Sequence, residues 1–257
     1  MLRLLILLLV SVSLLAQTAQ TAPIYTIKVV KKKPQSRQNF VQGLEINDGF
    51  LYVSTGNYGK SRLLRYHLST GKLDRARRLD DRIFGEGLTV FGDKVYQLTW
   101  RNQVMLVYDK QELKPLQRIP ITGEGWGLTH NADQLIYSNG SEKLYFMSPE
   151  TGKILRSVTV IDQGSKVLYL NELEWIDGSI WANIWRSNRI VMIDPSSGQV
   201  TGSIDLTGLL PASDRRGDTD VLNGIARNPA DDSIWVTGKH WPWQYQIELL
   251  PLPGSVP

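Results

Sequence analysis

Short runs in which apolar and polar side chains alternate recur along this chain, and turn dipeptides separate them. Phe50-Leu51-Tyr52-Val53-Ser54-Thr55, Lys94-Val95-Tyr96-Gln97-Leu98-Thr99 and Ser179-Ile180-Trp181-Ala182-Asn183-Ile184 are such runs, punctuated by Asp48-Gly49, Gly92-Asp93 and Asp177-Gly178. A period of two bounded by turns of this kind predicts antiparallel hairpins. The hairpins themselves repeat. Gln42-Gly43-Leu44-Glu45 returns as Glu86-Gly87-Leu88-Thr89, Trp126-Gly127-Leu128-Thr129, Asn171-Glu172-Leu173-Glu174 and Asn223-Gly224-Ile225-Ala226, roughly every 45 residues. Several strands per unit at that period predict the blades of an all-β, five-bladed β-propeller.

The register is tight. The step from the first-strand glycine to the end of the second strand is the same in Gly43 to Gly56, Gly87 to Trp100 and Gly127 to Gly140, and in Glu172 to Trp185; Gly224 to Lys239 is longer through the turn Asn228–Asp232. Four copies end in an outer strand, such as Ser157–Asp162 or Val200–Leu206, whereas the fifth stops after Gln244–Leu249. Ile24–Val30, ahead of the first copy and without a partner of its own, is expected to supply the missing strand of the last blade and so cover an open edge.

Arg3 followed by the apolar run Leu4–Ala16 and small polar residues to Ala22 predicts a secretory signal peptide over residues 1–22, leaving 23–257 as a single propeller domain. The run is shorter than the ~20 residues a bilayer span needs, so the mature protein is expected to be exported, periplasmic or secreted, with no membrane association after cleavage. Composition then narrows the chemistry. The 257 residues include no cysteine, which removes disulfide frameworks, thiolate metal sites and thiol nucleophiles. His67, His130 and His240 are too scattered for a His-rich metal site, and His130 and His240 read as surface or loop residues. A net charge of +4, with acids interleaved among the bases, gives no argument for nucleic acid.

In a propeller the first strands line a central channel and the loops at one end converge on it. The residues before the first-strand glycine, Gln42, Glu86, Trp126, Asn171 and Asn223, therefore share one mouth with the second-strand ends Gly56, Trp100, Gly140, Trp185 and Lys239. Three residues before the glycine stand Phe40, Phe84, Glu124, Tyr169 and Val221. Equivalent positions that diverge into acid, amide, aromatic and ammonium groups describe an asymmetric site on a repeating scaffold. A carboxyl group among aromatics, Glu86 near Phe40, Phe84, Trp100 and Trp126, loses solvation and shifts toward a useful acid–base range. Trp175, Trp181 and Trp235, on alternating strand positions, read as packing between blades, and Trp241 and Trp243 are left without a role. Gly56-Asn57-Tyr58-Gly59-Lys60-Ser61 lacks the spacing of a phosphate loop. Two further classes stay open on the residues alone: a non-catalytic exported propeller binding peptide or glycan ends, and a sugar hydrolase pairing Glu86 with Glu124 or Glu174.

Phe40–Glu45, Phe84–Thr89, Tyr96–Trp100, Glu124–Leu128, Leu170–Glu174 and Leu222–Ala226 resemble, in order and with few gaps, the glutaminyl-peptide cyclotransferases of the plant and bacterial type. The resemblance implies a five-bladed propeller that converts N-terminal glutamine of peptides and proteins to pyroglutamate with release of ammonia, an acyltransferase unrelated to the zinc-dependent animal enzymes. It implies Glu86 as the acid–base carboxylate and Phe40, Gln42, Phe84, Trp100, Trp126, Asn171, Trp185 and Lys239 as substrate-binding residues, with Lys239 or Asn171 at the oxyanion. It requires no cofactor for catalysis and allows a structural divalent ion in the central channel. With no spare sheet edge, a monomer is expected.

Overall fold

The computed structural model describes residues 22–252, so the segment read as a signal peptide lies outside the described residues except for Ala22. After β1 (Ile24–Pro34) the chain builds a four-stranded antiparallel sheet from β2 (Val41–Asn47), β3 (Phe50–Thr55), β4 (Arg62–His67) and β5 (Leu73–Arg78). A second follows from β6 (Gly85–Phe91), β7 (Lys94–Thr99), β8 (Val104–Asp109) and β9 (Pro115–Pro120), and a third from β10 (Leu128–His130), β11 (Leu135–Ser138), β12 (Lys143–Met147) and β13 (Ile154–Thr159). The small hairpin β14 (Ile161–Asp162) and β15 (Ser165–Lys166) precedes β16 (Leu170–Ile176), β17 (Ser179–Ile184), β18 (Arg189–Ile193) and β19 (Val200–Asp205). The last three strands are β20 (Leu222–Arg227), β21 (Ile234–Gly238) and β22 (Trp243–Pro251). Helix is limited, among the described residues, to one 3-10 turn at Ala212–Asp214.

The turns follow their residues. Asp48 and Gly49 both have positive φ, as do Asp177 and Gly178, which is the type I′ geometry that matches strand twist and holds Asn47 opposite Phe50 and Ile176 opposite Ser179. In the first two sheets burial falls from the first strand to the fourth: β2 and β6 are buried along nearly their whole length, while β5 and β9 are mostly exposed. The polar members of the alternation on inner strands are therefore buried too, among them Glu45, Thr89, Gln97 and Asn183.

The first strands stand beside one another in sequence, β2 against β6, β6 against β10, β10 against β16, β16 against β20, and β20 against β2. Such approach needs glycine: a Cβ on Gly87 would lie 2.5 Å from the Leu128 amide nitrogen of the neighbouring strand. Apolar clusters fill the space between consecutive sheets, for instance Tyr52 and Leu63 with Leu88 and Val95, and Val41 and Val53 with Ala226 and Trp235. Trp181 and Trp235 are buried in these layers, and Trp175 packs on one of them. Trp241 is buried as well and donates its indole N–H to the Asp220 carbonyl.

β1 pairs antiparallel with β22, from Tyr25 opposite Pro251 to Pro34 opposite Trp243, and Ile24 and Tyr25 run parallel to Ser203 and Ile204 of β19. The two sheets it touches become one of eight strands. The strand is longer than the expected Ile24–Val30: a bulge after Val29 carries it through Lys31–Lys33, where Lys32 and Lys33 lie over the Trp243 and Trp235 rings at 4.3 and 4.7 Å. The outer strand expected over Ser157–Asp162 also differs. It ends at Thr159 because Val160 turns inward into the core, and the positive-φ pair Gln163-Gly164 then forms the β14–β15 hairpin.

Candidate active site

One backbone hydrogen bond, repeated between sheets' inner strands, sets the mouth of the channel. The amide nitrogens of Gly56, Trp100, Trp185 and Lys239 donate to the carbonyl oxygens of Phe40, Phe84, Tyr169 and Val221 at 2.9–3.0 Å. Each of these four bonds ties the end of a second strand to the residue two positions ahead of the mouth side chain, which brings Gln42, Glu86 and Asn171 to one space; in the β10–β13 sheet the Gly140 carbonyl accepts the Tyr169 amide instead. That space is a cavity of about 290 Å³, and Phe40, Gln42, Phe84, Glu86, Trp100, Trp126, Asn171, Trp185 and Lys239 all line it, with Asn57, Arg186, Asp220 and Val221. Of the larger cavities, one of about 540 Å³ adjoins this space at Asn57 and one of about 600 Å³ lies apart from it, and neither contains a buried carboxyl group.

Glu86 is 4% exposed, and burial pushes its carboxyl group well above the usual range; the Lys239 ammonium opposes this and Glu124 adds to it. Lys239 is equally buried, and loss of solvation pulls its pKa down against the attraction of Glu86 and Asp220. The two groups therefore sit closer in proton affinity than a free carboxylic acid and a free amine. Lys239 Nζ stands 4.8 Å from the centre of the Phe40 ring. Gln42 Nε2 donates to Glu86 Oε1 at 3.1 Å, and Gln42 Oε1 accepts from Asn223 Nδ2 at 3.2 Å. Asn223 also donates to the Val41 carbonyl at 3.0 Å. This relay of amides fixes which end of Gln42 faces the carboxyl group.

The aromatic walls are edge-packed. Phe84 meets Phe40 at 6.1 Å and Trp100 at 5.4 Å between ring centres, and Trp126 meets Trp185 at 5.5 Å with planes 84° apart. Two second-strand ends are glycine for this reason: a Cβ on Gly56 would collide with the Phe84 ring, and one on Gly140, whose φ is +80°, would come within 2.7 Å of the Trp126 indole. Glu124 holds two walls at once. Its Oε2 accepts the indole N–H of Trp100 at 2.8 Å and of Trp126 at 3.1 Å, while Oε1 takes Arg101 at 3.1 Å. Partial burial pushes this carboxyl group up, but those donors outweigh it and keep it below its ordinary value. It is an anchor for the two walls, with both oxygens engaged by Trp100, Trp126 and Arg101, and it does not line the cavity.

Glu174, the other carboxyl group considered with Glu86, accepts the Arg227 amide at 2.8 Å on the channel wall and does not line the cavity. Glu172 accepts the Leu44 and Ile225 amides at 3.1 and 2.8 Å. Burial raises Glu172 and Glu174 well above the carboxylate range and takes Glu45 to about 7. With oxygens turned to backbone amides, and with no group of three His, Cys, Asp or Glu among the described residues placed to hold a metal, the channel does not fit the divalent ion that the resemblance allows. His130 ends a strand instead of sitting in a loop; its Nδ1 is 2.8 Å from Thr89 Oγ1, and burial lowers its pKa to about 4.

From the sequence Asn223 carries no site role and Glu124 only that of Glu86's partner in the alternative hydrolase, although both occupy the repeated mouth positions that signalled the other residues. Asn57, Arg186 and Asp220 lie one step outside those positions, and no periodic signal marks them.

Comparison with known proteins identifies the family. The chain is 40% identical over 230 residues to a glutaminyl-peptide cyclotransferase of Arabidopsis thaliana, covering 87% of this chain and 71% of the relative. The crystal structure of Myxococcus xanthus glutaminyl cyclase superposes with a TM-score of 0.83 at 32% identity, over 90% of this chain and 99% of that one. The WD40 β-propeller domain of Doa1 matches in fold alone, with a TM-score of 0.52 and 10% identity over 81% of this chain and 63% of its own. The family model of the glutamine cyclotransferases matches residues 3–249, and the chain belongs to that family.

Proposed function

We propose that the protein is a glutaminyl-peptide cyclotransferase, an acyltransferase that cyclises the N-terminal glutamine of peptides or proteins to pyroglutamate. The observation that carries the reading is Glu86, buried beside Gln42 and under the charge of Lys239, in a small aromatic cavity on the family's own motifs. The α-amine nitrogen attacks the γ-amide carbon of the same residue, so the enzyme's main task is to fold the side chain back and exclude water. Phe40, Phe84, Trp100, Trp126 and Trp185 shape that fold. Glu86 accepts a proton from the attacking amine and returns it to the departing nitrogen; the ring C–N bond forms, the bond from the γ-carbon to its amide nitrogen breaks, and ammonia leaves. A carboxylate whose pKa is raised by burial is a stronger base than an ordinary one and takes the amine proton more readily. Lys239 or Asn171 meets the oxyanion, and no step is assigned to a metal.

The same reading takes the repeats as five blades and β1 as the outer strand of the last; the sequence of neighbouring first strands and the β1–β22 pairing support it. Residues 1–22 act as the signal peptide of an exported, periplasmic or secreted protein, and the remainder is one monomeric catalytic domain. Incubation with a Gln-initiated dipeptide, reading ammonia and pyroglutamate, tests the activity. Glu86→Gln, folded by circular dichroism, is expected to lose turnover; near-normal kcat in that variant sinks the assignment. Binding without ammonia release would leave a binding module.

A further inference from the structure

The cavity at Glu86 has room for one folded glutaminyl side chain, and a peptide substrate must leave it across the rim. Two grooves share residues with it. One, of about 540 Å³, meets it at Asn57 and is lined by Arg37, Lys60, Arg62, Asp218 and His240. The other, of about 330 Å³, meets it at Arg186, Asp220 and Val221 and adds Arg215.

The first groove has the stronger and less compensated charge. Lys60 and Arg62 are exposed, and among the described residues neither they nor Arg37 have a carboxylate within ion-pair distance. Arg37 donates Nη2 to the Asp214 carbonyl at 2.6 Å, while its buried Nη1 has no partner. In the second groove Arg186 lies 4.2 Å over the Trp185 ring, and the acid Asp220, whose charge also reaches Lys239, shares the lining with Arg186 and Arg215.

The walls of the first groove are also held in place. Lys60 N and Ser61 Oγ both donate to the Asn57 carbonyl, at 3.0 and 2.8 Å. Opposite, His240 N donates to the Asn39 carbonyl at 2.9 Å, and His240 Nδ1 lies 2.6 Å from the Arg37 carbonyl oxygen. Cations carried on a preformed backbone groove beside the reacting cavity discriminate among substrates by charge.

We propose that this groove receives the second and third residues of the Gln-initiated peptide and selects acidic side chains there, through Arg37, Lys60 and Arg62. The inference rests on the cyclotransferase reading. The test is ammonia release from C-terminally amidated tripeptides of the forms Gln-Ala-Ala, Gln-Glu-Ala, Gln-Ala-Glu and Gln-Lys-Ala. The expected order is acidic over neutral over basic, with roughly three- to tenfold steps in kcat/KM that shrink at high salt. The double variant Lys60→Glu with Arg62→Glu should reverse the order, and the ratio between peptides cancels any general loss of activity. Equal kcat/KM across the series, or a ratio the double variant leaves unchanged, overturns the proposal. A ratio that responds instead to Arg186→Glu overturns it too, by sending the peptide through the second groove. If no peptide is cyclised, the cyclotransferase reading fails and the subsite falls with it.

Discussion

Asn223 reaches Glu86 only through Gln42, which makes Asn223→Ala an informative perturbation. Its Nδ2 serves two buried acceptors, the Val41 carbonyl at 3.0 Å and Gln42 Oε1 at 3.2 Å, whereas its own Oδ1 has no partner. The variant therefore strands two acceptors and relieves one unsatisfied oxygen. At about 1–3 kcal/mol for each acceptor left unpaired, partly offset by the relief, a net loss of about 2–4 kcal/mol is expected. For a protein of this size that lowers Tm by roughly 5–15 °C in calorimetry. A second effect is independent of stability. Without Asn223 the Gln42 amide is free to rotate, and its N–H no longer favours the charged form of Glu86. The carboxyl pKa then rises further, the acidic limb of the kcat/KM profile moves to higher pH, and kcat/KM falls about tenfold or more. Asn223→Ala with an unchanged Tm and an unmoved acidic limb would refute the relay.

Gly140→Ala places a Cβ against the Trp126 indole at a φ of +80°, so we expect about 1–2 kcal/mol of backbone strain and, from the displaced wall, a several-fold higher KM with the larger share of kcat retained. Steady-state kinetics with a Gln dipeptide and a thermal melt check both. The channel also holds two groups of opposite pH sense. His130, lowered by burial to about 4, leaves the unfolded state binding the extra proton between there and ~6.5, so its contribution to stability is full above ~6.5 and is lost as pH falls toward 4. Glu45, raised by burial to about 7, runs the other way: its contribution is full below the unfolded value and is lost as pH rises through about 7. Urea unfolding should show His130→Gln gaining on the parent protein at pH 5 and Glu45→Gln gaining at pH 8; the reverse pattern would refute these signs.

The repeats were legible because each unit restates the same inner-strand glycine, the same two-residue turns and the same outer-strand exposure. Even so, period-two alternation implies one wet face, and on β2 and β7 it marks polar groups buried among their own kind. Glu45 receives Thr89 Oγ1 at 2.7 Å and Gln97 reaches Ser54 Oγ at 2.7 Å, each partner lying on a different sheet. No local pattern encodes a partner more than forty residues away. The site divides along the same line. Residues whose meaning comes from standing at a repeated strand end could be found by counting, Glu86 and Lys239 among them. Those whose meaning comes from a neighbour's geometry could not. Gly56 looks like an ordinary turn residue until the Phe84 ring occupies the place of its side chain, and Glu124 looks like a second catalytic acid until two indole N–H groups converge on it. The β14–β15 hairpin was hidden because Val160 continues the alternation while its backbone leaves the sheet.

The pairing of β1 with β22 dictates an order of assembly. Lys28 meets Glu248 across a separation of 220 residues, so β1 cannot find this partner until β22 has been made. Joining such distant segments carries a large loop entropy, which is met before the contacts repay it, and non-local pairing of this kind is slow. The four earlier antiparallel meanders, from β2 to β19, have strands that can pair with immediate neighbours as they emerge. The edge that β1 offers to β22 must meanwhile wait, and its run of lysines, a charged and poorly aggregating stretch, suits a strand whose antiparallel partner is made so much later.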